Sequence, residues 1–169
     1  MRAKLVNASF ETFRSIHPFE LIFIPSGSIC LLTEKEQMAQ ALSGIFDLLG
    51  KKGKFAFEVD TLSSIAGPQE VWKGHWIDKL DGSKLVLNTF AKFDTASRVN
   101  MTLCRYELWV KNRVVKTEVE DFRVRLYELR EMESLLQYHG FKVVNASVPY
   151  TGAKPDEKTD CVVIECVKN

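Results

Sequence analysis

Apolar and polar positions follow two different rhythms along this chain, and the change of rhythm divides it. Residues 19–24 read FELIFI, in which Leu21, Ile22, Phe23 and Ile24 succeed one another without a polar break. Pro25, Ser26, Gly27 and Ser28 then stop the run. An unbroken apolar run closed by turn residues predicts a strand covered on both faces, as in a parallel sheet with helices above and below. A shorter run over 4–6 predicts a small strand ahead of Asn7. Thr33 and Glu36 have the spacing of a capping box, which predicts a helix opening at Thr33. Met38, Leu42, Ile45, Phe46 and Leu49 recur at helical spacing, and Gly50 stands where a left-handed residue would stop the helix. After a turn at KKGK, residues 55–59 (FAFEV) read as a second strand closing on Asp60. Strand, helix and strand in this compass predict a right-handed parallel crossover.

From residue 70 to 125 the period falls to two, with Trp72, Trp76, Leu85, Leu87, Phe90, Phe93, Met101, Leu103, Tyr106, Trp109 and Val115 spread along it. Asp81-Gly82, the loop Asp94 to Ser97, and Lys111-Asn112 punctuate it, which predicts an antiparallel meander. Helical spacing returns at Tyr127, through Leu129, Met132, Leu135, Leu136 and Tyr138, with Gly140 as its stop. Two strands, at 141–148 and 160–167, finish the chain around the polar loop TGAKPDEKTD. The fold class expected is α/β, with the meander inserted between two parts of a parallel architecture.

Composition narrows the function more than the fold. The chain has 169 residues, 46% hydrophobic and 27% charged, with a net charge of +1 from 23 basic and 22 acidic residues. That balance gives no electrostatic footprint for nucleic acid or an anionic membrane, so neither is expected as a partner. The N-terminal MRAKLVNASF has no long apolar core, and no later run approaches a membrane span. The four cysteines, Cys30, Cys104, Cys161 and Cys166, form no C-x-x-C pair and have no histidine at metal spacing. They read as free thiols in a cytoplasmic protein. Cys161 and Cys166 flank VVIE and point to opposite faces of its strand.

The order of these pieces resembles the C-terminal part of a class I S-adenosylmethionine-dependent methyltransferase. "NASFETF" resembles the acidic loop before the family's fourth strand, and "FELIFIPSGSICLL" that strand and the loop after it. "ALSGIFDLLGKKGKFAFEVDT" resembles the following helix, its turn and the fifth strand, and "ELREMESLLQYHGFKVV" the late helix and the strand it leads into. The resemblance implies a partial Rossmann-like sheet, family strands four to seven, with residues 70–125 as a substrate-side β insertion. It also implies the last strand antiparallel. None of the nine glycines forms the family's Gly-x-Gly-x-Gly turn. The expectation is therefore one truncated methyltransferase-like domain over 1–169, inactive as an isolated chain.

By position, the resemblance puts Asn7, Ala8 and Ser9 along the adenine of S-adenosylmethionine, with Phe10 behind it, and Pro25, Ser26 and Gly27 at the methionine end. Asn7 stands where the family prefers Asp, and Glu20 where Asp is usual. The same PSGS elbow and Asn7 also read as plain turn residues. Methyl transfer needs positioning and at most one general base. His75, between Trp72 and Trp76, is the candidate base. Strand alternation puts the two tryptophans on one face and His75 on the other, which argues against a shared pocket. Trp72, Trp76 and Glu58 are candidate contacts to a small-molecule substrate, and Glu58 with Asp60 also reads as a solvated strand end. The alternative function is a non-catalytic remnant acting as an oligomeric interaction protein. A homo-oligomer is expected, joined through the edge left at residues 19–24 or through the aromatic meander.

Overall fold

A computed structural model describes residues 4–10, 12–65 and 67–169. In chain order the elements are β1 (Phe19–Ile24), α1 (Lys35–Leu48), β2 (Leu49–Asp60), β3 (Trp72–Asp78), β4 (Lys84–Asp94), β5 (Val99–Val110), β6 (Arg113–Arg125), α2 (Leu129–Tyr138), β7 (Phe141–Ser147) and β8 (Cys161–Lys168). The strands form two four-stranded sheets, ordered β1-β2-β8-β7 and β3-β4-β5-β6. The chain divides into two compact units, one of them Ile65–Arg125 and the other the remainder.

In the first sheet β1 runs parallel to β2, and β8 is antiparallel to both β2 and β7. Register puts Ile24 beside Phe57 and lines Phe55, Phe57 and Val59 up with Cys166, Ile164 and Val162. All of these are essentially buried, as are Met38, Ala41, Leu42 and Ile45 of α1 and Met132 and Leu136 of α2. Each such large side chain contributes about 1.5–3 kcal/mol through its removal from water. Phe46 of α1 meets Phe141 edge to face at 5.4 Å, and Ser43 Oγ lies 3.2 Å from His139 Nδ1 at the end of α2, so the two helices share one face of the sheet. Burial pulls the His139 imidazole below its ordinary pKa.

The opposite face is another matter. Phe19, Leu21 and Phe23 alternate outward from β1 at 36, 54 and 67% exposure. The expected cover on both faces is thus not found: the apolar run of β1 packs through Ile22 and Ile24 and leaves its other side open. No strand forms at 4–6 among the described residues, where the chain is irregular.

Two expected helix boundaries also move. Ser28–Leu31 folds as a tight 3-10 turn that buries Ile29 and Cys30, so α1 has not yet begun at Thr33, and the extended Glu34 caps it without a side-chain hydrogen bond. The capping box at Thr33 and Glu36 is therefore not made. At the other end Leu49 is extended (φ −77°, ψ 138°), Gly50 has no positive φ, and KKGK belongs to β2 rather than to a turn. The reason is close packing. A Cβ on Gly53 would lie 2.8 Å from the Phe19 carbonyl, so glycine lets β2 pass β1 where the register shifts. Gly140 does act as foreseen, closing α2 at φ 83°. Tyr127 precedes its helix: its N–H donates to the Asp60 carbonyl at 3.1 Å and it bridges Thr61.

The second unit is the antiparallel meander that the period-two pattern foretold, with β3, β4, β5 and β6 paired in sequence. Lys111 and Asn112, at φ 49° and 59°, supply the two left-handed residues of a tight hairpin turn between β5 and β6.

Candidate functional site

β1 and β2 are parallel, and β2 runs on to Asp60 beyond the last pair, Ile24 with Phe57, which puts the elbow after β1 beside the last residues of β2. Ligands of open α/β sheets lie beyond such carboxyl ends. The elbow is built from Pro25, Ser26 and Gly27. Ser26 (φ 57°) and Gly27 (φ 62°) are successive left-handed residues. For serine that conformation costs on the order of 1–2 kcal/mol, so something must hold it. The Ser26 N–H donates to Glu58 Oε2 at 2.8 Å. Ser28 ties back through its N–H and Oγ to the Pro25 carbonyl, at 3.2 and 2.9 Å. Gly27 passes directly over Asp60, since a Cβ there would stand 2.9 Å from Asp60 Oδ2.

Asp60 is the electrostatic centre. Its N–H donates to Cys30 Sγ at 3.3 Å, and the Cys161 thiol, opposite it across the β2-β8 ladder, hydrogen-bonds to its carboxylate. Burial raises the Asp60 pKa above the usual carboxylate range; the Cys161 hydrogen bond opposes this, and the Asp160 and Glu58 charges add to it. Burial pushes Cys30 up to about 12 and Cys161 up to about 11, the latter helped by the Asp60 charge. Both remain protonated thiols at neutral pH, unsuited to nucleophilic attack. The cluster therefore presents two carboxylates, Glu58 and Asp60, on the same face of the end of β2, backed by inert sulfur.

Of the residues singled out from the sequence, Pro25, Ser26, Gly27, Glu58 and Asp60 are brought together. Asn7, Ala8 and Ser9 are exposed and lie in an irregular segment. Ser9 makes a turn with Thr12, whose Oγ1 accepts from the Ser9 N–H at 3.1 Å, and Phe10 runs its carbonyl past Gly44 of α1. His75 is exposed and lies on the opposite face of β3 from Trp72 and Trp76. Trp72 and Trp76 stand on the meander, 53 and 65% exposed. Beside them is a network that the sequence reading missed, formed by Arg105, Glu107 and Trp109. Arg105 Nε meets Glu107 Oε1 at 3.1 Å, and Trp109 Nε1–H donates to Glu107 Oε2 at 2.9 Å. Their i, i+2, i+4 spacing along β5 was the available signal. Among the described residues there is no cluster of three or more side chains suited to a metal ion, and no helix is long and apolar enough to cross a membrane.

Known structures carry this architecture. An S-adenosylmethionine-dependent methyltransferase from Clostridium acetobutylicum matches all of the chain, with a TM-score of 0.81 at 13% identity. The fold is that of a methyltransferase. A sugar N-methyltransferase from a Streptoalloteichus species matches 96% of the chain (TM-score 0.71, 13% identity). An amino pentose methyltransferase of calicheamicin biosynthesis from Micromonospora echinaspora, solved with S-adenosylmethionine bound, also matches 96% (TM-score 0.69, 12% identity). The chain spans 66, 61 and 63% of the lengths of these three proteins. No protein-family model matches the sequence, and no curated protein matches it. The partial Rossmann-like sheet with its antiparallel meander is thus the methyltransferase architecture over less than two thirds of its length.

Proposed function

We propose that this chain is the part of an S-adenosylmethionine-dependent methyltransferase that carries the substrate side and half of the cofactor cleft, in a whole protein that methylates a small molecule. The observation that carries the reading is the fold match of the whole of this chain to 66% of the clostridial methyltransferase. The elbow supports it chemically. S-adenosylmethionine is cationic at its sulfonium and its α-ammonium, and Glu58 and Asp60 supply two carboxylates at the end of the sheet where such a ligand lies. The cofactor, when bound, supplies an electrophilic methyl group.

Within this reading Pro25, Ser26 and Gly27 face the methionine end, with the Glu58 hydrogen bond to Ser26 fixing the elbow. Asn7, Ala8, Ser9 and Phe10 border the adenine. Asn7 accepts a hydrogen bond but contributes no charge. Trp72 and Trp76 contact substrate. The exposure of His75 on the other face of its strand speaks against a role as base. The free thiols, two of them deeply buried, fit a reducing cytoplasm. Alone, without a glycine-rich turn, the chain binds cofactor weakly and transfers no methyl group. A second reading, an oligomeric interaction protein, is favoured by the open side of β1.

Titration of S-adenosylmethionine into isotope-labelled chain separates the two. Amide shifts limited to Asn7, Ala8, Ser9 and Phe10 and to Ser26, Gly27, Ser28, Glu58 and Asp60, with Kd above about 100 µM, are expected. No shift at millimolar cofactor would favour the interaction protein. Low-micromolar binding, about −8 kcal/mol, would overturn the view that the cleft is incomplete.

A further inference from the structure

We propose that the end of the meander where its two hairpins turn docks end-on into the interface of an anionic lipid bilayer. The inference rests on Ile65–Arg125 by itself. It replaces substrate contact at Trp76 and leaves Trp72 and the elbow as described above.

Topology puts this end as far along the strands as it can be from the points where the chain enters and leaves the unit. The chain enters β3 at Trp72 and leaves β6 at Arg125, and pairing puts both toward the polar loop Asp94 to Ser97. The β3-β4 turn at Lys79 to Ser83 and the β5-β6 turn at Lys111-Asn112 lie at the opposite end, where Lys84 faces Trp109. The 11 residues of β4 put about 35 Å between the two ends.

Apolar side chains surround the hairpin end. Register puts Trp76 and Val114 on one face of the sheet, and Ile77, Leu85 and Val110 on the other. All five are exposed, Trp76 and Ile77 at 65 and 66%, and Leu80 in the turn is wholly open to water. The turn itself is ordered. The Lys79 N–H donates to the Ser83 carbonyl at 2.9 Å, and the Ser83 N–H to Asp81 Oδ1 at 3.0 Å. A leucine held outward by such a turn loses little freedom when something covers it.

The shape of the patch selects the occupant. A folded partner or a second copy lying on the sheet covers one face, and a strand added to an edge covers neither. Here apolar positions stand on both faces and over the tip, so the cover closes around the end. A bilayer entered end-on does this, and tryptophan is favoured at its interfacial depth. Charge agrees. Residues 76–85 and 108–116 hold five basic residues against two acidic, an excess that the near-even balance of the whole chain conceals. Lys84, Lys79 and Lys116 are matched by Asp78, Asp81 and Glu118, at 2.7, 3.9 and 2.6 Å. Lys111 and Arg113 have no ion pair among the described residues and stand at the second turn, where anionic headgroups would meet them. The paired charges beside Leu80 keep the insertion shallow, at the depth of the headgroups and first acyl carbons.

Sedimentation of the full chain with phosphatidylcholine vesicles, with and without about 30% phosphatidylserine, tests this. Binding to the anionic vesicles is expected at millimolar lipid, and about fivefold weaker binding to the neutral ones. Leu80→Asp, and Lys111→Glu combined with Arg113→Glu, should each weaken it about tenfold. Val119→Asp, at an exposed apolar position in the middle of β6, should leave it unchanged. Unchanged circular dichroism shows that each variant folds. Trp76 is the most exposed of the three tryptophans and reports depth: brominated acyl chains should quench emission in the parent, and Trp76→Phe should lose most of that quenching. No binding at about 10 mM anionic lipid, equal binding to neutral and anionic vesicles, or undiminished binding by Leu80→Asp would overturn the proposal. Binding without quenching would overturn it in favour of adsorption by charge alone. A lipid-free mass that falls on Leu80→Asp would overturn it in favour of a second copy seated on this end.

Discussion

At the scale of single residues the elbow is a balance of small costs, and two substitutions read them. Asp60 keeps a carboxylate half-buried, with its pKa raised by desolvation. Between the ordinary value of 3.8 and the raised one, the folded chain holds more proton than the unfolded. Stability therefore rises as pH falls through that window, and above it the buried charge is a standing penalty. Asp60→Asn removes the charge while keeping an acceptor for the Cys161 thiol. Its melting temperature is expected to exceed that of the parent at pH 7 by about 1–3 °C, a modest gain because the group is half open to solvent. The gain should shrink as pH approaches 4. A lower melting temperature at pH 7 would show instead that the elbow needs the charge. Gly27→Ala acts on the same contact from the other side. It puts a Cβ 2.9 Å from Asp60 Oδ2 at φ 62° and is expected to destabilise by about 1–2 kcal/mol in urea. In an Asp60→Ala background the contact is gone, and the penalty should fall to the left-handed term alone, about 1 kcal/mol. Equal penalties in both backgrounds would mean that the carboxyl simply moves aside.

The elements were legible where local pattern decided them and misread where packing did. β1 was legible to the residue because FELIFI is bounded on its C-terminal side by Pro25 and Gly27. The meander was legible because alternation and turn residues agree, down to Lys111-Asn112. The start of β2 was not. Three lysines around a glycine have the composition of a turn, yet Gly53 is there to let backbone pass the Phe19 carbonyl. That is a tertiary fact with no local signature. The helix start failed in the same way: Thr33 and Glu36 have capping spacing, but burial of Ile29 and Cys30 in the preceding turn fixes where α1 begins. At the site, Ser26, Gly27 and Glu58 were visible at the ends of predicted strands. The grip of Glu58 on the Ser26 N–H depends on β1 and β2 being neighbours, and the Arg105–Glu107–Trp109 network on cross-strand register. Neither is written in any one segment.

At the scale of the molecule, β1 is the open question that the physics answers. It is an edge strand, paired on one side with β2, and its outward side chains Phe19, Leu21 and Phe23 stand 36, 54 and 67% exposed. Natural edges are guarded by lysines, prolines or bulges on the strand itself. Here the register shift lies between Phe19 and Leu21, the charge on β1 is Glu20, and Pro25 comes after the last paired residue, so Leu21 to Ile24 carry no such guard. An apolar, unguarded edge recruits another strand, and uncovered apolar surface costs roughly 25 cal/mol for each Å² left in water. A two-fold partner presenting the same edge meets both needs at once, with β1 pairing its own copy antiparallel. The expectation is a dimer of this 19.3 kDa chain, with an interface of at least about 1,200 Å². Phe23→Lys puts a charge at the most exposed position of the edge and should release monomers, whereas Trp76→Ala, on the meander, should leave the mass unchanged. Light scattering across a concentration series reads all three proteins. A parent that stays monomeric throughout, or a Phe23→Lys chain that remains a dimer, would place the cover of this edge elsewhere.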